Sequence, residues 1–152
     1  MPKLFVVDTM AIISYFSNVF GQGTRISKRG LSIIGQAFDF PDEVLLTVPG
    51  IVFVEIFDKW FRGVRDQDDE FRAMFRAEVL DRIRNAPNIE IREVDVETLK
   101  AFLWLEDPSI NLENSDRLIL ASAAVLRAPL ITADPVVIDF VTKHGVIPEV
   151  IR

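Results

Sequence analysis

Apolar positions in this chain follow two rhythms, and the alternation between them predicts the fold. Residues 4–7 form a continuous run, Leu4-Phe5-Val6-Val7, of the kind found in strands buried on both faces. Residues 44–48 and 129–132 read the same way, residues 89–94 alternate as a further strand, and residues 146–151 supply a short last one. Between them apolar residues recur at helical spacing over 9–16, 30–40, 51–61, 65–85, 96–105, 116–127 and 136–143. The longest of these places Phe71, Met74, Phe75, Val79 and Ile83 on one stripe. Its first turn carries Asp66, Asp68, Asp69 and Glu70 and its last Arg82 and Arg84, as the helix dipole favours. Asn114-Ser115 offers an N-cap for the helix at 116–127, and residues 18–29, with Gly21 and Gly23, read as a loop. Strands alternating with helices in this way predict an α/β domain. Its central, mostly parallel sheet of about five strands is covered on both faces. Right-handed crossovers place the strand C-termini on one edge, where open α/β folds keep their sites.

Composition narrows the chemistry. The 152 residues suit one domain, and 49% of them are apolar, including twelve phenylalanines, so a substantial core can form. A net charge of −6 argues against coating nucleic acid by bulk electrostatics, yet it is compatible with a cluster of acids that awaits a metal. The chain has no cysteine, which removes disulfides, thiol catalysis and zinc–thiolate sites. No apolar run approaches the roughly 18 residues of a membrane span. The first apolar run is cut by Asp8, so no signal peptide is expected. A soluble, cytoplasmic chain is the expectation.

Against this background four acids stand out. Asp8 closes the first apolar run, Asp134 closes Leu130-Ile131-Thr132-Ala133, Glu55 interrupts Ile51-Val52-Phe53-Val54 and Ile56-Phe57, and Asp116 opens Arg117-Leu118-Ile119-Leu120. A half-buried carboxylate is costly unless paired, hydrogen-bonded or bound to metal. Each has a plain alternative: Asp8 and Asp134-Pro135 as helix N-caps, Asp116 as a complement to a helix dipole, Glu55 as a partner of Arg62. Together they carry more weight, because two carboxylates about 4 Å apart repel by roughly 4 kcal/mol at an effective dielectric near 20. Such a group requires raised pKa values or a bound cation. Oxygen-only donors select Mg²⁺ or Mn²⁺, whose remaining ligands are preferably water and phosphate, so phosphodiester hydrolysis is the natural reaction.

Other constellations have less support. The single histidine, His144, lies at a helix end and reads as a capping or surface residue, so histidine-based triads find little footing. Gly21-Gln22-Gly23 lacks the continuation of a phosphate-binding loop. Trp60 and Trp104 read as core or interface residues. Two basic clusters are placed to hold a nucleic-acid backbone beside the acids: Arg25, Lys28 and Arg29 after the first helix, and Arg62 and Arg65 after the helix with Glu55. A solvated surface loop explains either cluster equally well.

The motifs resemble those of the PIN-domain nucleases, and among them the VapC-type toxins of toxin–antitoxin pairs. Val6-Val7-Asp8-Thr9-Met10-Ala11-Ile12-Ile13 is similar to the family's first motif, with Asp8 at its acid. Val48-Pro49-Gly50-Ile51-Val52-Phe53-Val54-Glu55-Ile56 resembles the second, Ser115-Asp116-Arg117-Leu118-Ile119-Leu120-Ala121-Ser122-Ala123 the third, and Leu130-Ile131-Thr132-Ala133-Asp134 the fourth. Each motif is short and degenerate, but the four occur in order across nearly the whole chain. Met10 stands where the family often has a small polar residue. The aromatic that usually follows the fourth acid is displaced to Phe140, and residues 20–42 are longer than in the smallest members.

The resemblance implies a three-layer α/β/α PIN-like domain over residues 1–152 and an endoribonuclease acting on structured RNA. It implies a homodimer inhibited by a small antitoxin, with Asp8, Glu55, Asp116 and Asp134 around one or two Mg²⁺ or Mn²⁺ ions. Thr132 and Thr9 would orient carboxylates from behind. A non-catalytic PIN-like module that binds RNA or a protein partner is the alternative. An aspartyl-phosphate phosphatase or receiver fits worse, since Asp8-Thr9-Met10 lacks that phosphatase's second aspartate and no lysine follows a late strand near the site.

Overall fold

In the computed structural model the apolar run at the N-terminus becomes β1 (Lys3–Val7), the central strand of a five-stranded sheet ordered β3-β2-β1-β4-β5. The other strands are β2 (Val44–Pro49), β3 (Ile89–Arg92), β4 (Leu130–Ile131) and β5 (Val150–Ile151), and every described pairing is parallel. The structure describes residues 2–19, 21, 23–40, 42–56 and 69–152, and of residues 69–76 the backbone alone. The expected α/β fold is therefore present, and its sheet is parallel throughout the described residues.

Helices α1 (Thr9–Val19), α2 (Lys28–Asp39), α3 (Ile51–Ile56), α4 (Asp69–Asn85), α5 (Val96–Trp104), α6 (Asn114–Leu126) and α7 (Pro135–His144) connect the strands. Val6, Val7, Leu46, Val48, Leu130 and Ile131 are buried because helices cover both faces of the sheet, which is why these strands read as unbroken apolar runs. Phe16, Ile12 and Ile34 from α1 and α2 and Leu120, Ile119 and Phe140 from α6 and α7 fill the two layers. Val79 and Ile83 of α4 are buried as the helical stripe predicts, whereas the side chains of Phe71, Met74 and Phe75 lie outside the described residues. The same holds for residues 57–68, which include Trp60, Arg62, Arg65 and the remainder of the helix expected over 51–61.

Three local expectations are corrected. The strand expected over 89–94 is only four residues long and does not alternate in burial, because β3 lies at the sheet edge with Glu90 and Ile91 both exposed. The N-cap of α6 is Glu113, not Asn114 or Ser115, and it makes no side-chain capping bond. Asn114 is already helical and its amide oxygen accepts from Arg117 Nη2 at 3.4 Å, so its acceptor serves a guanidinium instead of a backbone N–H. Of the two readings of Trp104, core or interface, the first is removed: it ends α5 almost fully in solvent.

Helix α2 is seated by its first turn. Ser27 caps it, accepting from Gly30 N at 3.1 Å, while the Ser27 hydroxyl and amide both donate to the carbonyl of Arg152 beyond β5. Gly30 is the point of closest approach, since a Cβ there would stand 2.9 Å from that backbone oxygen and 3.4 Å from Ile131 Cγ2. Replacing a helical glycine by alanine ordinarily stabilises by roughly 1 kcal/mol. Gly35→Ala, whose Cβ would meet only the Tyr15 ring at 3.8 Å, is expected to follow that rule. Gly30→Ala is expected to reverse the sign and lose about 1–2 kcal/mol in urea unfolding.

Candidate functional site

The sheet order reverses between β1 and β4: the chain builds outward through β2 and β3, then returns to the other side of β1 for β4 and β5. Helices leave neighbouring strands in opposite directions at such a switch point, opening a crevice at the strand C-termini. Asp8 stands directly after β1, and its amide donates to Ile131 O at 3.1 Å, so it lies beside Thr132 at the end of β4.

Asp8 is only 4% exposed and both of its carboxylate oxygens are used. Oδ1 accepts from the Ala11 amide at 2.7 Å, the helix-capping bond expected of an acid after a strand. Oδ2 accepts from the hydroxyl of Thr132, a fully buried side chain. The Thr132 hydroxyl in turn accepts from the Asp134 amide at 3.1 Å, and Asp134 Oδ1 caps α7 by accepting from Val136 N at 2.8 Å, with Pro135 in the first helical turn. The capping and site readings of Asp8 and Asp134 thus coexist.

Glu55, in the second turn of α3 and 6% exposed, accepts from Thr9 Oγ1 through Oε1 at 2.6 Å. That bond draws α3 against the start of α1, one residue from Asp8. Asp116, 8% exposed, lies in the first turn of α6. Helix α6 packs against α3 and β1, and its C-terminal end reaches Arg127 and Ala128 beside Lys3 and Leu4, at the N-terminal edge of the sheet. A helix rises about 1.5 Å per residue, so the thirteen residues of α6 carry Asp116 back toward the edge that holds Asp8.

Burial, the largest influence, raises the pKa of Asp8 from 3.8 to about 6. The hydrogen bonds from Thr132 and Ala11 oppose it, and the charges of Asp134 and Glu55 add to it. Asp134 and Glu55 are therefore each within electrostatic reach of Asp8. Among the described residues, however, no three acidic or histidine side chains are set so as to hold one metal ion together. Asp134 and Glu55 act on Asp8 through their charge, and the described acids form no closed cage. Carboxylate oxygens backed by hydroxyls are donors that suit a hard divalent cation, and each Asp8 oxygen, with one protein donor apiece, retains a lone pair.

Of the basic residues expected beside the acids, Arg29 is the one whose side chain is seen to lie elsewhere among the described residues. Arg25 is exposed in the segment before α2, its amide donating to Ser14 Oγ at 3.3 Å, and Lys28 is exposed at the start of α2. Arg29 pairs with Glu149 at 2.7 Å and lines a surface cavity of about 370 Å³ with Lys3, Arg127 and Pro129, at the opposite edge of the sheet from Asp8. Arg62 and Arg65 lie outside the described residues. Arg117, to which sequence pattern assigns nothing, has its guanidinium 3.9 Å over the Phe102 ring. The one cue to it is its place directly after Asp116. His144 and Lys143 close on Asp107 at 2.8 and 2.6 Å. Lys143, Ser109 and His144 hold that carboxyl well below the usual range, tying α7 to the connection before α6.

No protein-family model matches the chain, and no curated protein matches it. Solved structures do match. FitAcB from Neisseria gonorrhoeae aligns at 12% identity with a TM-score of 0.63, over 97% of this chain and 96% of that one. VapBC2 from Rickettsia felis, bound to a DNA fragment from their promoter, aligns at 13% identity and 0.62, over 96% of each. A toxin–antitoxin complex from Klebsiella pneumoniae aligns at 19% identity and 0.52, over 96% of this chain and 95% of that one. These likenesses establish a shared fold over nearly the full length of both chains.

The elevated affinity of Asp8 for its proton has a measurable consequence. Its folded value of about 6 lies above the unfolded 3.8, so the native state binds the extra proton between them. The stabilisation is complete below the unfolded value and is lost as pH rises through the folded one. In chelator, urea-unfolding stability of the wild type relative to Asp8→Asn is expected to fall across that interval by on the order of 3 kcal/mol. Parallel pH profiles for the two proteins would exclude a strained carboxylate at this position.

Proposed function

We propose that the chain is a Mg²⁺- or Mn²⁺-dependent endoribonuclease, the toxin of a toxin–antitoxin pair, with Asp8, Glu55, Asp116 and Asp134 as its metal-holding acids. The observation that carries this reading is Asp8, buried at the switch point and raised toward neutrality with Asp134 and Glu55 contributing. Such a carboxylate is stabilised when a cation replaces its proton. The motif resemblance supplies the reaction class, and the fold shared with chains of toxin–antitoxin complexes supports the partner. RNA as substrate, a pairing of two copies and a cytoplasmic location follow from the resemblance.

A divalent cation bound by these acids would supply an activated water and charge stabilisation for in-line attack on a phosphodiester. The chain's own residues do the positioning. Thr132 fixes the rotation of the Asp8 carboxylate, and the Ala11 amide holds its other oxygen. Thr9 fixes Glu55, and the capping bond to Val136 fixes Asp134. The burial of Asp8, Glu55, Thr9 and Thr132 keeps the local dielectric low, which strengthens each of these interactions.

A second reading, a non-catalytic module binding RNA or a protein, is favoured by one observation: no three of the described acids are preset around a single point. Titration with Mn²⁺ in a thermal-unfolding assay separates the two. Metal at about 100-fold over its dissociation constant is expected to stabilise by roughly 3 kcal/mol, and Asp8→Asn to remove the shift. RNA cleavage is expected to fall by about 100-fold or more in Asp8→Asn and Asp116→Asn with the fold retained. In Thr132→Val the expected loss is about 10- to 100-fold. Full activity in both acid variants under controlled metal would refute the nuclease, and the absence of any Mn²⁺ shift would favour the module.

A further inference from the structure

Two adjoining surface cavities lie at the edge of the sheet opposite Asp8. One, of about 370 Å³, is lined by Lys3, Arg29 and Arg127 against a single acid, Glu149. Three cations in one hollow are conspicuous on a chain whose net charge is −6. Glu149 occupies only Nη1 of Arg29, at 2.7 Å, and among the described residues neither Lys3 nor Arg127 has an ion pair. Most of the donors of all three side chains are therefore available to a ligand. Arg127 also caps α6 in the left-handed conformation (φ 50°), a place where glycine or asparagine is the ordinary choice. The second cavity, of about 550 Å³, shares Lys3, Phe5 and Arg29 with the first and continues past them to Ser32, Gln36, Asp42 and Glu43. Its far end is the chemical opposite of the near one. The carboxylates of Asp42 and Glu43 offer acceptors alone, and the Gln36 carbonyl adds another, since Gln36 spends Nε2 on Ser32 Oγ at 3.1 Å.

We propose that this joined hollow binds a nucleoside monophosphate. Its phosphate sits among Lys3, Arg29 and Arg127, where charge-assisted hydrogen bonds are strong. Its ribose hydroxyls donate to the acceptors of the far end, and a carboxylate accepting from a ribose hydroxyl is a recurrent nucleotide contact. Phe5, common to both linings, gives an apolar surface at the junction. The two volumes are of the size that small-molecule sites occupy. A longer polyanion fits worse, because the further phosphates of an RNA strand would run onto Asp42, Glu43 or Glu149. The inference goes beyond the nuclease reading and does not depend on it.

The test is calorimetric titration of the full chain with the four 5′-ribonucleoside monophosphates, in chelator so that no metal carries phosphate to the acids. At least one is expected to bind saturably with a dissociation constant below about 1 mM. Inorganic phosphate and the matching free nucleoside are each expected to bind at least about 10-fold more weakly. Arg127→Gln is expected to weaken the nucleotide by about 10-fold or more, with the far-ultraviolet dichroism of the wild type, and Asp8→Asn to leave its affinity unchanged. The 2′,3′-dideoxy analogue is expected to bind about 5-fold or more weakly, a difference that Asp42→Ala reduces. No binding of any of the four, or a loss in Asp8→Asn in place of Arg127→Gln, would overturn the proposal. So would equal affinity for inorganic phosphate or for the dideoxy analogue, or an RNA oligonucleotide held by Arg127 more tightly than any monomer.

Discussion

The organisation of this molecule turns on one buried charge. Asp8 must be placed where β1 ends, in the middle of a parallel sheet, with apolar residues before it and after it. Its two oxygens are satisfied by groups from two different parts of the fold, an amide of the helix that follows and a hydroxyl from the strand beside it. Those partners compensate only part of the loss of hydration, as the net rise in its proton affinity indicates. A position that costs stability in the isolated chain, with two further carboxylates contributing to the cost, is where function offers a reason for retaining it.

The surrounding fold can be understood as the support for that position. The strand order makes β1 and β4 neighbours, which places Thr132 within reach of Asp8. The short α3 packs on α1 with Thr9 as the bolt between them, and α6 runs back along β1 so that its first turn returns to the same edge. The two threonines are each buried and each spend their proton on a carboxylate, so the acids are held in defined rotations before any ligand arrives.

Much of this was legible in the sequence, for identifiable reasons. Leu4-Phe5-Val6-Val7 is unbroken because both faces of β1 are covered, and the acid that ends it is conspicuous for the same reason. What was not legible depended on side-chain choices with several partners of equal merit. Asn114 could cap a helix or accept from Arg117, and the guanidinium took it. Arg29 was placed near the acids by its loop, but its long side chain reaches Glu149 at the other edge of the sheet. Trp104 has the composition of a core residue, yet a helix position eight places into α5 points it away from the sheet, which periodicity alone does not reveal when both faces are apolar.

The bond between Thr132 and Asp8 spans 124 residues of chain. A ribosome releases β1, α1 and β2 long before it releases β4, and nothing encoded in the earlier segments can substitute for the missing hydroxyl or for Asp134. The crevice consequently cannot form during translation before β4 and the residues just after it have emerged. A polypeptide made only as far as β2 carries Asp8 without Thr132 and Asp134, so whatever the finished pocket does is withheld from the nascent chain until β4 and the turn after it have emerged.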